Sequence, residues 1–275
     1  MDCKLIFVPM EPISSLQNPF IKQLQKLDKN RERKKQNVIP VEGLRECKLA
    51  VEGGFSIEKV VYCSEYISEF DLKKELNLSS TTHCIDTTPA IFNALVYRKG
   101  IANCLALIRP INYHFSDLDT SKNLLLLVVD SVEKPGNLGA MLRTCDAAGI
   151  DAIIVCDAQT DIYNPNCIRA SLGAVFTKKT IVSNAEACIN WLKNNSIQTL
   201  ITYLESARNY TLENYTHPTA IVVGSEAYGI KEEWLKSGFK NIIIPQVGKV
   251  DSMNVANSAA IIIYEAIRQR NLSRI

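Results

Sequence analysis

No Cys-x-x-Cys pair occurs in the chain, and its three histidines, His83, His114 and His217, show no metal-ligand spacing. A zinc ribbon or a catalytic metal is therefore not expected. The nine cysteines form an odd set without framework spacing. That pattern argues against a disulfide scaffold and for small buried side chains in a reducing compartment. No apolar run approaches the roughly 18 residues of a membrane helix; the longest, near Leu124–Val129, is strand-sized. The opening MDCKLIFVPM begins with an acid and lacks the apolar core of a signal peptide, so a cytoplasmic protein is expected. Glycine (12) and proline (10) are too few for a collagen-like or low-complexity chain. The dinucleotide fingerprint G-x-G-x-x-G, the Walker A loop and the G-x-S-x-G elbow are all missing, which removes the usual nucleotide-binding and acyl-transfer signatures.

What is present is enough chain, 275 residues with 47% apolar and 22% charged, for one large domain or two modest ones. Net charge is only +2, but residues 1–115 carry 16 basic and 13 acidic side chains while residues 116–275 carry 15 and 16. Lys22, Lys26, Lys29, Arg31, Arg33, Lys34 and Lys35 crowd into fourteen residues against Asp28 and Glu32. A polyanion such as RNA suits that run; a solvated helix face is the competing reading.

The run is helical by pattern. Asn18-Pro19 supplies a cap followed by proline at the first helical position, and Phe20, Ile21, Leu24 and Leu27 recur at helical spacing. Strand patterns at 38–41, 57–63 and 103–108 alternate with helices at 44–51 (stopped by Gly53-Gly54) and after Thr88-Pro89. They predict a small α/β domain over residues 1–111. A polar stretch, 112–122, reads as a linker. From 123 to 275 the pattern restarts with LLLLVVD, a continuous apolar run of the kind buried on both faces of a parallel sheet. Further strands are predicted at 152–155, 198–203, 220–223 and 241–244, with helices between most of them, hence a mostly parallel sheet.

Ligands of such sheets sit beyond the carboxyl ends of the strands. Three segments there hold glycine and polar side chains. In Asp130–Arg143, Gly136, Gly139 and Arg143 share a face at i, i+3 and i+7, which would let an anion reach backbone N–H groups and the guanidinium together. A plain strand–helix turn with a surface arginine explains the spacing equally well. In Ala220–Gly229, Gly224, Glu226 and Gly229 suggest backbone in close approach to a flat ligand, although a tight turn alone would also need them. In Ile244–Ala260 a Gly248 loop leads through Ser252-Met253-Asn254 into an alanine-rich helix that Ser252 could cap.

Together these segments resemble the three motifs of the SpoU (TrmH-type) RNA ribose 2′-O-methyltransferases of the SPOUT superfamily. Asn137, Gly139 and Arg143 match N-x-G-x-x-x-R; Gly224, Glu226 and Gly229 match G-x-E-x-x-G; Ile244, Pro245, Gly248, Ser252, Asn254 and Val255 match I-P-x-x-G-x-x-x-S-L-N-V. The stretch 13–22 and Val41-Glu42-Gly43 resemble the opening of the family's substrate-binding extension. Gln246 stands where methionine is common, Met253 replaces leucine, and Ala256-Asn257-Ser258 replace a more typical Ser-Val-Ala.

The resemblance implies a mostly parallel α/β domain with a C-terminal trefoil knot, preceded by a small α/β substrate-binding domain. It implies S-adenosylmethionine as methyl donor, held by Gly224, Ile244 and Met253 with Gly229 and Gly248, and no metal. It implies catalytic roles for Arg143, Asn137, Glu226, Ser252 and Asn254, a homodimer, and RNA as substrate, with ribosomal RNA favoured. A transfer RNA substrate, or a non-catalytic RNA-binding module on the same fold, remains the alternative.

Overall fold

The computed structural model describes residues 11–79, 81–97, 102–205, 207–249 and 252–271. The N-terminal decapeptide read for a targeting signal lies outside them, as does Cys3. The chain divides into two compact units, Met1–Pro110 and Ile111–Ile275.

In the first unit, α1 (Pro19–Gln25) starts where the sequence places it: Asn18 Oδ1 accepts from Phe20 N–H at 2.9 Å, with Pro19 at the first position. The basic run is not one continuous helix. A 3₁₀ turn (Lys26–Asp28) separates α1 from α2 (Asn30–Gln36), and Asn37 ends α2 in the left-handed region at φ +52°. Arg33 departs from the expected solvent face. It is buried, and its guanidinium donates to the carbonyls of Leu27 (2.7 Å) and Asp28 (2.9 Å), satisfying orphan acceptors at the 3₁₀ turn. There follow β1 (Ile39–Glu42), α3 (Leu44–Glu52), β2 (Ile57–Tyr62), α4 (Glu69–Glu75), β3 (His83–Asp86), α5 (Pro89–Leu95) and β4 (Cys104–Ile108). The sheet order is β1-β4-β2-β3, antiparallel on both sides of β4 and parallel between β2 and β3. Ile21, Leu24 and Leu27 bury against Val61, Phe92, Leu105 and Leu107, so the apolar stripe of the basic segment is core.

The second unit contains β5 (Leu125–Asp130), α6 (Pro135–Ala147), β6 (Ala152–Cys156), α7 (Pro165–Ala170), α8 (Ala174–Thr177), β7 (Lys179–Ser183), α9 (Ala185–Asn194), β8 (Gln198–Thr202), β9 (Arg208–Asn209), β10 (Thr219–Val223), α10 (Glu232–Leu235), β11 (Lys240–Ile243) and α11 (Val255–Asn271). Its sheet runs β7-β6-β5-β10-β8-β11-β9, and every pairing is parallel. All six residues of β5 are buried, as the unbroken apolar run requires. Leu126, Val128 and Ile154 meet Cys188 and Leu192 of α9 and Trp234 of α10. Helices α6 and α11 pack together, α6 also against β6 and α11 against β10. Ala259, Ile262, Ile263 and Ala266 of α11 are fully buried; the two isoleucines alone contribute about 3–6 kcal/mol of burial.

The stretch 112–122, read as a linker, packs on this unit. Tyr113 bridges Ile181 of β7, Phe115 stacks on Trp191 with centroids 4.9 Å apart, and Leu118 enters the core. Its polarity conceals three aromatic or aliphatic anchors among solvated neighbours.

Candidate active site

The carboxyl ends of β8, β10 and β11 lie side by side, and the segments that follow them enclose a cleft of about 550 Å³. Thr202–Leu204 line it from β8, Gly224–Glu226 and Gly229–Ile230 from β10, Ile242–Ile244 and Gln246 from β11, and Ser252–Val255 from the approach to α11. Lys134, at the head of α6, closes one side.

The wall after β10 is a tight turn. Ser225 and Gly229 exchange two backbone hydrogen bonds of 2.9 and 3.0 Å, and Gly229 takes φ +67°. A Cβ on Gly224 would stand 2.3 Å from the Gly229 carbonyl oxygen, so only glycine lets this turn fold back on the strand. Glu226 projects from the turn, its side chain 21% exposed, and pairs with Lys134 Nζ at 3.2 Å. Just beyond, Lys231 reaches Asp157 at 2.8 Å and Asp130 at 3.9 Å, tethering the turn's exit to the ends of β5 and β6. Asp130 is fully buried, and burial pushes its carboxyl above the ordinary carboxylate range although Lys231 opposes the shift.

Asn254 joins the last segment to the first. Its Nδ2 donates to Asn137 Oδ1 at 3.3 Å, while its Oδ1 accepts from the N–H of Ala256 at 2.9 Å. The cap of α11 is thus Asn254, not Ser252: the helix begins at Val255, two residues later than a Ser252 cap allows, and Ser252 is left free to line the cleft.

Among the sequence-predicted site residues, Gly224, Glu226, Gly229, Ile244, Ser252, Met253 and Asn254 line the cleft, and Asn137 adjoins it through Asn254. Gly248 does not line it; it sits on an exposed loop. Arg143 does not line it either. It lies six residues beyond Asn137 on α6, exposed and without a hydrogen-bond or ion-pair partner among the described residues. Nor does Gly139 open a path for an anion as its spacing with Arg143 suggested. A Cβ there would lie 2.6 Å from Ala170 Cβ and from the Cys167 carbonyl, so its missing side chain admits α7. Gly136, by contrast, faces open space.

Sequence reasoning missed Thr202-Tyr203-Leu204, Lys134 and Gln246. The first three carry no glycine and no motif; their only signal is their place after a strand of the sheet. Among the described residues no group of three or more His, Cys, Asp or Glu side chains could hold a metal ion.

Residues 124–264 match the model of the SpoU rRNA Methylase family, and residues 18–106 match an MRM3-like substrate binding domain. The chain belongs to the SpoU rRNA methylase family. Over 255 residues it is 27% identical to the 23S rRNA (guanosine(2553)-2'-O)-methyltransferase RlmP of Bacillus subtilis (strain 168), covering 93% of this chain and 98% of that one. A crystal structure of an RNA 2'-O ribose methyltransferase is 32% identical, with TM-score 0.80 over 94% of this chain and 99% of the other. The AdoMet-bound rRNA methyltransferase from Sinorhizobium meliloti is 25% identical, with TM-score 0.86 over 94% and 97%. In SpoU terms, the cleft gathers residues of the second and third motifs, Asn137 of the first is hydrogen-bonded to its rim through Asn254, and the arginine of the first motif stands outside it.

Proposed function

We propose that the protein transfers a methyl group from S-adenosylmethionine to a ribose 2′-hydroxyl of ribosomal RNA of the large-subunit, 23S type. It is an RNA 2′-O-methyltransferase by family. The observation that carries the reading is convergence: the Gly224–Gly229 turn, Ile244 and Ser252–Asn254 meet at one cleft, and Asn137, from a distant part of the chain, is bonded to its rim by Asn254. The relative from Bacillus subtilis, matched over nearly the whole of both chains, acts on 23S rRNA by name, which favours ribosomal over transfer RNA.

The cleft suits the donor. Its volume lies in the range of small-ligand sites, and Ile230, Ile242, Ile244 and Met253 offer apolar surface beside backbone groups of the Gly224 turn. When bound, S-adenosylmethionine supplies a methyl already activated on a sulfonium. The chain's own residues then position and polarise the acceptor. Asn137 and Asn254 hold each other and orient the ribose, with Ser252 beside them; Glu226, paired with Lys134, fixes the turn that flanks them. The transfer would move the methyl from sulfur to the 2′-oxygen, release S-adenosylhomocysteine as the leaving thioether, and pass the hydroxyl proton to solvent water. A guanidinium stays protonated near neutrality, so Arg143 serves as an electrostatic partner for the neighbouring phosphate and the developing alkoxide.

Arg143 reaches such a position from a second protomer. Its exposure and lack of partners support a homodimer whose site is completed across the interface. The C-terminal trefoil knot belongs to the same reading. Strand β11 lies beyond β8 from β10, yet α11, which follows it in the chain, packs on α6 and β10. Residues 1–110 serve as the RNA-binding unit, with the exposed cations of α1 and α2 on the RNA backbone. A cytoplasmic location fits these roles; no helix among the described residues is long and apolar enough to cross a membrane.

The test is incubation of the protein and its Arg143→Ala variant with methyl-labelled S-adenosylmethionine and RNA from a strain lacking this gene, split into ribosomal and transfer fractions. Label in ribosomal RNA, resistant to alkaline cleavage at the modified ribose and lost in the variant, is expected. Label in transfer RNA alone, or none in either fraction, overturns the reading.

A further inference from the structure

Tyr228 is the most exposed aromatic side chain among the described residues, at 87%. It does not sit on a loose loop. It stands at the tip of the Ser225–Gly229 turn, where its own N–H donates to Ser225 Oγ at 3.0 Å and two backbone bonds lock the turn's base. The closeness of Gly224 to Gly229 holds that base against β10. The ring itself has no hydrogen-bond, ring or cation partner among the described residues. A large aromatic ring held out on a rigid backbone forgoes packing that the fold could have used, yet such a ring is pre-ordered for a flat ligand.

The surroundings define that ligand. Glu226 and Gly229, on either side of Tyr228 in the turn, line the cleft, and Lys134, 69% exposed, stands at the same rim paired with Glu226. A cation at the rim of the cleft and a free ring on the turn that borders it are the elements that hold single-stranded nucleic acid: the cation takes the backbone and the ring stacks on a base.

We propose that Tyr228 stacks on an unpaired base next to the nucleotide being methylated, and so helps to select where on the RNA the enzyme acts. The inference rests on the methyltransferase reading of the cleft. It assigns Tyr228 a positioning role through substrate contact; the methyl transfer itself uses the residues described above.

The test compares the wild-type protein with Tyr228→Ala and Tyr228→Phe on large-subunit ribosomal RNA from a strain lacking this gene. Three quantities are read: RNA Kd by gel shift, KM for RNA and for S-adenosylmethionine in methyl transfer, and oligomeric state by sedimentation. Tyr228→Ala should weaken RNA binding and raise KM for RNA by about tenfold, with KM for S-adenosylmethionine unchanged. Tyr228→Phe, which keeps the ring, should restore near wild-type values. An RNA Kd within twofold of wild type in Tyr228→Ala overturns the proposal, as does a defect equally deep in Tyr228→Phe. Dissociation of Tyr228→Ala into monomers also overturns it, since the ring would then be covered by a second copy of the chain. If the wild type transfers no methyl to any RNA, the parent reading fails; the Kd comparison still decides for or against stacking.

Discussion

Asn254 uses both ends of its amide, one to cap α11 and one to hold Asn137. The two asparagines are therefore predicted to separate in mutagenesis. Asn137→Ala removes only the 3.3 Å hydrogen bond and should lower kcat by up to about 100-fold with little change in thermal midpoint. Asn254→Ala should show the same kinetic loss and also cost about 1 kcal/mol of stability, because it removes a helix cap. Equal thermal midpoints for the two variants would remove the capping role. The glycines separate in a similar way. Gly224→Ala and Gly139→Ala each drive a Cβ to within 2.6 Å of other backbone or side-chain atoms, and should destabilise by about 1–3 kcal/mol or more in denaturant unfolding. Gly136→Ala meets nothing within 4 Å inside the first turn of a helix, and should be neutral or stabilising by up to about 1 kcal/mol. Of these three, Gly224→Ala alone should also abolish donor binding in calorimetry, since neither Gly136 nor Gly139 borders the cleft.

At the scale of elements, the basic segment shows why charge cannot be read from sequence as surface. Its six exposed cations and the buried Arg33 look alike in a run of letters. Arg33→Met should lower the thermal midpoint and leave the salt dependence of RNA binding unchanged, because it breaks two hydrogen bonds to carbonyls inside the unit. Reversing Lys22, Lys26, Lys34 and Lys35 should do the opposite: stability holds, affinity falls, and the salt slope shrinks by about 0.7–0.9 for each phosphate no longer neutralised. An unchanged slope would take these helices out of the RNA interface. Strand positions were largely legible because unbroken apolar runs such as 124–130 have one physical use, burial on both faces of a sheet. Strand β3 and edge strand β7 were not, since polar residues interrupt both, no residue of β3 is buried and only two of the five in β7 are. The motif glycines were legible as close approaches, but sequence could not say what approaches: backbone at Gly224, a helix at Gly139, nothing at Gly136.

At the scale of the whole molecule, the second unit is a seven-stranded parallel sheet whose cleft opens where three neighbouring strands end. Sequence predicts that location from the sheet type alone, and through the motifs it predicts seven of the eighteen residues that line it. It could not separate Arg143 from the rest of the site, because spacing along a chain does not tell which side chains meet in one cleft. Helix α11 closes the unit. Arg270, near its end, donates to the carbonyls of Tyr215, Asn123, Leu124 and His217 at 2.6–3.0 Å, so the C-terminal helix is pinned to the segments that precede β5 and β10. We propose that the cleft of one protomer and Arg143 of another form one methyl-transfer site. Co-expression of Arg143→Ala and Asn254→Ala chains tests it most directly, since a mixed dimer then carries one cleft intact in both parts. Each variant alone should transfer almost no labelled methyl to large-subunit ribosomal RNA, and the mixture should regain about one quarter of wild-type activity. A mixture as inactive as its components would contradict the account.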